Sequence, residues 1–220
     1  KHGVSAPWRA REPATDAERR ERHQRMEAAR RQRDAEQARL HRQAADKAAT
    51  LWRKARPADP SHPYLQAKRV PPLQARQLGA RLVLPLYGFD RRLTSLQFID
   101  GDGGKRLLSG GRKRGCFIPV AGRGDTAARL LICEGWATGA TLRLLDPDAL
   151  VLAAVDANNL QPVAEGARQQ WPRLPVVVCA DADPVGESKA RAAALAVGGQ
   201  VALPPAGDFN DAAQAARGDE

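Results

Sequence analysis

"LLICEGWATGATL", residues 130–142, decides the fold. Leu130 to Cys133 are apolar and suit a fully buried strand. Glu134 follows with no turn residue between, and Gly135 opens a helix-compatible run from Trp136 to Leu145. A strand running straight into a carboxylate and then a helix is the unit of an α/β layer, where ligands gather at the carboxyl ends of parallel strands. The rhythm recurs downstream. Strands are expected at Leu130–Cys133, Leu150–Val155, Val176–Ala180 and Gln200–Leu203, with helices at Trp136–Leu145, Pro162–Trp171, Gly186–Val197 and Phe209–Arg217.

Every one of these strands ends on acid. Glu134 follows the first, Asp156 the second, Asp181 and Asp183 the third, and Asp208 with Asp211 lie just past the fourth. In "VVVCADAD" the two aspartates at i and i+2 face one side of an extended strand exit. Packed carboxylates repel one another unless cations or protons sit among them. Hard oxygen donors of this kind suit Mg²⁺ or Mn²⁺. Taken singly, each acid also has the chemistry of a helix N-cap, Asp208 and Asp156 above all.

Further out, the charge is uneven. The 220 residues carry a formal net charge of +10 and are 43% hydrophobic, enough for one or two domains with real cores. Residues 1–56 hold 16 Lys/Arg against 8 Asp/Glu, residues 57–125 hold 12 against 5, and residues 126–220 hold 7 against 12. Three parts follow: a basic N-terminal segment (1–56), a basic α+β subdomain (57–125) and the acidic α/β domain (126–220). A net positive chain favours a polyanionic partner such as nucleic acid. From Asp16 to Arg56 there is neither Gly nor Pro, which predicts a long helix. Its apolar stripe, Leu40, Ala44, Ala48, Leu51 and Trp52, is confined to the end that docks on a core. The earlier turns read as a solvated helix laced with i,i+4 ion pairs, or as an arm for nucleic acid or a partner.

After the Pro-rich joint "RPADPSHPYLQAKRVPP", apolar runs broken by turns at residues 89–92 and 101–104 predict a small antiparallel sheet. Its loops carry Lys105, Arg106, Arg112, Lys113 and Arg114 among Gly110, Gly111 and Gly115. Glycines let a backbone approach a phosphate and the clustered cations neutralise it, although an exposed soluble loop has the same composition. Ser188 and Lys189 open a helix where phosphate could also sit. Cys116, Cys133 and Cys179 form no CxxC pair and have no His cluster, which excludes a zinc ribbon and a disulfide scaffold and fits a reducing cytoplasm. No apolar run reaches the ~20 residues of a membrane span. The chain begins at Lys1 rather than Met and is expected to be part of a longer protein.

Together "LLICEGWATGATL", "VVVCADADPVGESKARAAA" and "GDFNDAA" resemble the TOPRIM domain shared by bacterial-type DNA primases, type IA and type II topoisomerases and certain nucleases. The upstream "RLVLPLYGFDRRLTSLQFIDGDGGKRLLSGG" is similar to the basic subdomain preceding TOPRIM in the primase core. The closest likeness is to primase-like TOPRIM proteins of plasmids, phages and integrative elements, over about residues 60–217. The resemblance implies a Rossmann-like, mostly parallel sheet flanked by helices. It assigns Glu134, Asp181 and Asp183 as catalytic, these three with Asp208 as metal ligands, and Lys105, Arg106, Arg112, Lys113, Arg114 and Lys189 as contacts to template or nucleotide phosphates. Replicative primases carry further acids where this chain has Thr138 and Asn210, so one or two ions are expected rather than three. The implied activity is primer synthesis: a metal-dependent nucleotidyltransferase joining NTPs on a single-stranded DNA template, with a replicative helicase or a zinc-binding module as partners. A TOPRIM nuclease and a non-catalytic nucleic-acid-binding module are the alternatives. A topoisomerase needs a nucleophilic tyrosine, and only Tyr64 and Tyr87 are present. Trp136 beside Glu134 reads as core packing or as a stacking surface for a base.

Overall fold

Helix α1 (Asp16–Lys54) realises the long uninterrupted segment in the computed structural model, which describes residues 15–218; the first 14 residues of the basic segment lie outside that range. Thr15 and Glu18 start the helix with a capping box. The Glu18 N–H donates to Thr15 Oγ1 at 3.2 Å, and the Thr15 N–H donates to Glu18 Oε2 at 3.0 Å. Up to Leu40 the helix is a unit of its own. Its charges pair along the surface, Arg25 with Glu21, Arg30 with Asp34 at 3.7 Å, and Arg39 with Glu36 at 2.6 Å. This is the solvated, ion-paired helix that the composition describes.

From His41 onward the chain forms the second unit. Ala44 and Ala48 are buried, and Leu51 and Trp52 pack with Val83, Leu96 and Leu108, so the expected stripe does dock. Leu40, its first member, stays 37% exposed. Arg76 closes the helix: its guanidinium lies 4.3 Å from the centre of the Trp52 ring and donates to the Trp52 carbonyl at 2.8 Å.

A five-stranded antiparallel meander follows, with β1 (Arg56–Pro57), β2 (Arg76–Leu78), β3 (Arg81–Tyr87), β4 (Leu93–Ile99) and β5 (Lys105–Leu107) in that spatial order. Helix α2 (Pro63–Lys68) lies in the β1–β2 connection. His62 caps it by accepting the Tyr64 N–H at Nδ1 (3.2 Å), while Nε2 sits 3.0 Å from the Ala80 carbonyl. That partnership fixes the proton on Nε2.

The second sheet contains β6 (Ile118–Ala121), β7 (Arg129–Cys133), β8 (Ala149–Ala153), β9 (Val176–Cys179) and β10 (Gln200–Ala202), in the order β10-β9-β7-β8-β6. All neighbours are parallel except β6, which runs antiparallel to β8. Thus β6, which precedes residue 126, hydrogen bonds into the acidic domain's sheet. Helices α3 (Trp136–Leu145) and α6 (Phe209–Gly218) pack together, while α4 (Leu160–Gln170) and α5 (Pro184–Val197) form a second pair. The β8 and β9 backbones are buried between apolar clusters, explaining why their sequences read as unbroken hydrophobic runs. Gly139 brings α3 close to the sheet: a Cβ there would stand 2.9 Å from Val120 and 3.1 Å from the Cys133 sulfur. From β7 the chain moves to β8 on one side and then to β9 on the other. The gap between β7 and β9 is therefore the topological switch point.

Candidate active site at the carboxyl edge of the parallel sheet

Parallel topology sends every strand exit to one edge, so Glu134 after β7, Asp156 after β8, Asp181 after β9 and Asp208 after β10 converge there. Glu134 and Asp181 flank the switch point itself. Backbone hydrogen bonds hold the exits in place: Val155 N–H to the Glu134 carbonyl at 2.9 Å, and Ala182 N–H to the Gly207 carbonyl at 2.8 Å. Val155 takes φ 79°, a left-handed conformation costly for a β-branched residue, and this ends β8 two residues before the expected boundary.

Glu134 Oε1, Asp156 Oδ1 and Asp181 Oδ1 are buried with no hydrogen-bond partner among the described residues. Burial pushes the Glu134 carboxyl up to about 7, and Asp181, Asp183 and Asp156 add repulsion; the Ala157 N–H hydrogen bond opposes it. Asp181 is also raised, first by burial and then by Asp208 and Asp183, with Lys105 pulling the other way. Gly186, in the first turn of α5, makes room for the cluster. A Cβ at this position would meet Asp183 Oδ2 at 2.8 Å and Glu134 Oε1 at 3.1 Å.

The other two acids are partly engaged. Asp183 is exposed and caps α5, its Oδ1 accepting the Val185 and Gly186 N–H groups at 2.9 and 3.0 Å, with Pro184 at the first helical position. Asp208 caps α6 through the Asn210 and Asp211 N–H groups at 2.6 and 2.9 Å. Thr138 donates its hydroxyl to Asp208 Oδ2 at 3.3 Å. Asn210 is buried and structural, its Nδ2 bonding the Lys68 carbonyl at 2.7 Å and Thr141 Oγ1 at 2.8 Å. Asp156 makes no cap hydrogen bond and instead pairs with Lys113.

Among the described residues no three His, Cys, Asp or Glu side chains stand close enough to enclose an ion. A Mg²⁺ ion does not require such a cage, because it keeps several waters and binds through one or two carboxylates plus substrate phosphates. The orphaned oxygens of Glu134 and Asp181 and the all-oxygen donor set fit that mode.

The six basic candidates separate. A Cβ on Gly135 would come 3.9 Å from Lys105 Nζ, so Lys105 reaches over the Glu134–Gly135 turn. Arg106 pairs with Asp100 at 3.2 Å, Arg112 approaches Asp90 at 4.0 Å, and Lys113 is held by Asp156. Arg114 and Lys189 line one pocket of about 220 Å³ with Asn158, Gln161 and Glu165. Asn159, which no local sequence signal singles out, organises the basic loop. It is 2% exposed; Oδ1 accepts the Gly115 N–H at 2.8 Å, and Nδ2 donates to the carbonyls of Lys113, Cys116 and Ala154 at 3.2, 2.8 and 2.8 Å.

Trp136 is 2% exposed in the core, so packing accounts for it and no face is left for a base. Tyr64 is 3% exposed, with its phenol pushed up to about 12 by burial, and Tyr87 lies within β3. Burial raises the Tyr87 phenol as well, so neither has the acidity of a nucleophile that attacks DNA. No helix among the described residues is long and apolar enough to cross a membrane.

Residues 129–219 match the family model for the Toprim domain. A DNA primase TraC of Escherichia coli is 35% identical over 162 residues, covering 67% of this chain and 11% of that protein. A second protein of the same name and organism is 40% identical over 139 residues, covering 58% of this chain and 13% of its own length. The chain thus spans only a small part of the curated relatives it matches. Among solved structures, the primase fragment of the bacteriophage T7 primase–helicase protein shares the fold, with a TM-score of 0.55, 14% identity and 70% coverage of each chain.

Proposed function

With residues 129–219 forming a Toprim domain, we propose that this chain is the catalytic core of a metal-dependent DNA primase of a plasmid, phage or other mobile element, acting in the cytoplasm. The observation that carries the reading is the pair of buried, unpartnered oxygens on Glu134 and Asp181, flanking the switch point and overlooked by Lys105. The named relatives, both DNA primases, support the same activity.

Asp181 and Glu134, joined by the free oxygen of Asp183 and by Asp208, would hold one or two Mg²⁺ or Mn²⁺ ions. When bound, such an ion neutralises charge on triphosphate oxygens during phosphoryl transfer. The protein's own groups supply the rest. Lys105 sets a positive charge over the acids where a phosphate enters. Thr138 steadies Asp208 by its hydroxyl, and the capping of α5 fixes Asp183. As the alternative to holding the ion, Glu134 would receive the proton of the attacking 3′-hydroxyl at Oε1, which has no donor among the described residues. Arg106, Arg112 and Arg114 present guanidinium groups to the single-stranded template, and Lys113 orders their loop through Asp156. Arg114 and Lys189 converge on one polar pocket and form a second phosphate contact.

The test is synthesis of labelled oligoribonucleotides from NTPs on single-stranded DNA with Mg²⁺, comparing the parent with Asp181→Ala and Glu134→Gln. Primer synthesis lost in both variants supports the reading. DNA degradation with the same metal requirement and no oligoribonucleotide replaces it with a nuclease. A full-length partner carrying a zinc-binding module or helicase can be added to the same assay.

A further inference from the structure

Beside the edge strand β6, away from the carboxylates, a pocket of about 420 Å³ opens on the α4 side of the second sheet. Its size lies within the roughly 300–1,000 Å³ of small-molecule sites. Leu150 and Leu152 line it, together with the rings of Phe89, Phe117 and Trp171. Phe89 lies 4.7 Å from Phe117, tilted by 44°, and 6.1 Å edge-on from Trp171. The backbone is pared back to admit two of the rings. A Cβ on Gly124 would stand 2.0 Å from Trp171 Nε1, and one on Gly166 would stand 2.3 Å from the Phe89 ring. Trp171 is half-buried, and among the described residues no hydrogen bond to its indole N–H is made.

Charge at the mouth favours an anion. Asp90 is met by Arg92 at 3.9 Å and by Arg112 at 4.0 Å, and Asp125 is met by Arg123 at 3.0 Å. Arg91 lines the pocket, is exposed, and has no acidic partner among the described residues. It also occupies φ 61° in the β3–β4 turn, a left-handed position where glycine is free of strain and an L side chain costs about 1 kcal/mol. An arginine in that place spends backbone energy to put a cation beside an aromatic slot. Arg112 joins the mouth to the basic loop: a Cβ on Gly88 would fall 2.5 Å from its Nη2.

We infer that this pocket binds a nucleobase, stacked against Trp171 and Phe89, with the attached phosphate on Arg91. The inference rests on the nucleic-acid reading above and places a second contact for the single strand beside β6, in a pocket that none of Glu134, Asp156, Asp181, Asp183 and Asp208 lines. Stacking on aromatic rings tolerates any base, and an arginine beside the rings tracks the backbone. The same chemistry could be met by a free nucleotide.

Binding of a fluorescein-labelled decathymidylate to the full chain, followed by anisotropy in EDTA, tests it without any need for synthesis. Trp171→Leu is expected to weaken binding about tenfold. Arg91→Gly is expected to weaken it severalfold, lower the salt slope by about one, and leave the melting temperature equal or higher, because glycine accepts φ 61°. A 5-bromodeoxyuridine oligomer should crosslink to the peptide containing Trp171. In a second arm, dTMP that saturates the parent with the same dependence on Arg91 and Trp171, while the oligomer shows none, identifies free nucleotide as the source. If Arg91→Gly folds normally and binds both oligomer and dTMP as the parent does, the pocket is not a base site. An acidic, aromatic peptide that binds there while neither nucleotide probe does also overturns it. Failure of primer synthesis in the parent would sink the primase reading and leave this result intact.

Discussion

The two five-stranded sheets treat charge in opposite ways. In the antiparallel meander, hairpin turns alternate between the two ends, so acids and bases meet locally: Arg92 and Arg112 at Asp90, Arg106 at Asp100. In the parallel sheet every exit reaches the same edge, and residues far apart in the chain arrive together as like charges. Glu134, Asp156 and Asp181 each keep a buried oxygen without a donor among the described residues. Local pairing stabilises modestly and does no chemistry. Enforced repulsion costs stability and leaves carboxylates whose repulsion a cation or a proton would relieve.

The sharpest way to break this contrast is Asp181→Ala. Primer synthesis should fall by about 100- to 1,000-fold, as for removal of one charge-stabilising group. The melting temperature in EDTA should hold or rise, because a repelling carboxylate is gone. A large drop in melting temperature would show that Asp181 is structural, and that the acidic edge behaves like the antiparallel one.

Next in size is Asn159→Ala, which acts where the two sheets are tied together. The side chain satisfies one N–H and three carbonyls across 113–116 and 154. Its removal should cost roughly 3 kcal/mol in urea unfolding, since several buried groups lose their partner at once. Synthesis should fall as well, through disorder of the loop bearing Arg112 and Arg114. Full activity in a stable Asn159→Ala protein would mean that the loop needs no clamp.

Glu134→Gln separates electrostatics from packing at the edge. The folded carboxyl sits near 7 against an ordinary value of 4.5, so the native state binds the proton more tightly than the unfolded chain. Stability from this group is therefore fully present below pH 4.5 and lost as pH rises through 7. In EDTA, Glu134→Gln should be more stable than the parent by roughly 1–2 kcal/mol at pH 8, a figure discounted for the half of the carboxylate that water screens, and equal to it near pH 4.5. Adding Mg²⁺ should narrow the gap at pH 8 by stabilising the parent alone. A gap that is independent of pH would assign the effect to packing.

What could be read without coordinates follows from the same contrast. Helix Trp136–Leu145 was legible residue for residue, and the strand exits to within two residues, because periodicity and the acid after each apolar run are local signals. The fold class followed from their alternation. Less legible were contacts made only in three dimensions. Nothing near Ile118 announces that β6 pairs with β8, nothing near Asn159 announces a clamp 43 to 46 residues upstream, and Thr138 gives no sign that it serves Asp208 at a separation of 70. The basic cluster read as one phosphate surface because composition cannot see that Lys113 is spent on Asp156.

The smallest effect should come from residues 16–40 of α1, where the contrast is widest. Arg25 and Glu21 pair one turn apart on α1, with side chains 77% and 60% exposed. Such a pair gains little over hydration, so Glu21→Gln should change helix stability by less than about 0.5 kcal/mol, read from the circular dichroism melt at 222 nm. What remains should vanish in 0.5 M salt, which screens exposed charges over a few ångströms. The Glu134→Gln difference at pH 8 should persist in the same salt, since half-buried carboxylates are screened far less. If Glu21→Gln instead unfolded the helix, or its effect survived salt, the N-terminal charges would be held in a low-dielectric contact, and the division between locally paired and topologically crowded charge would fail.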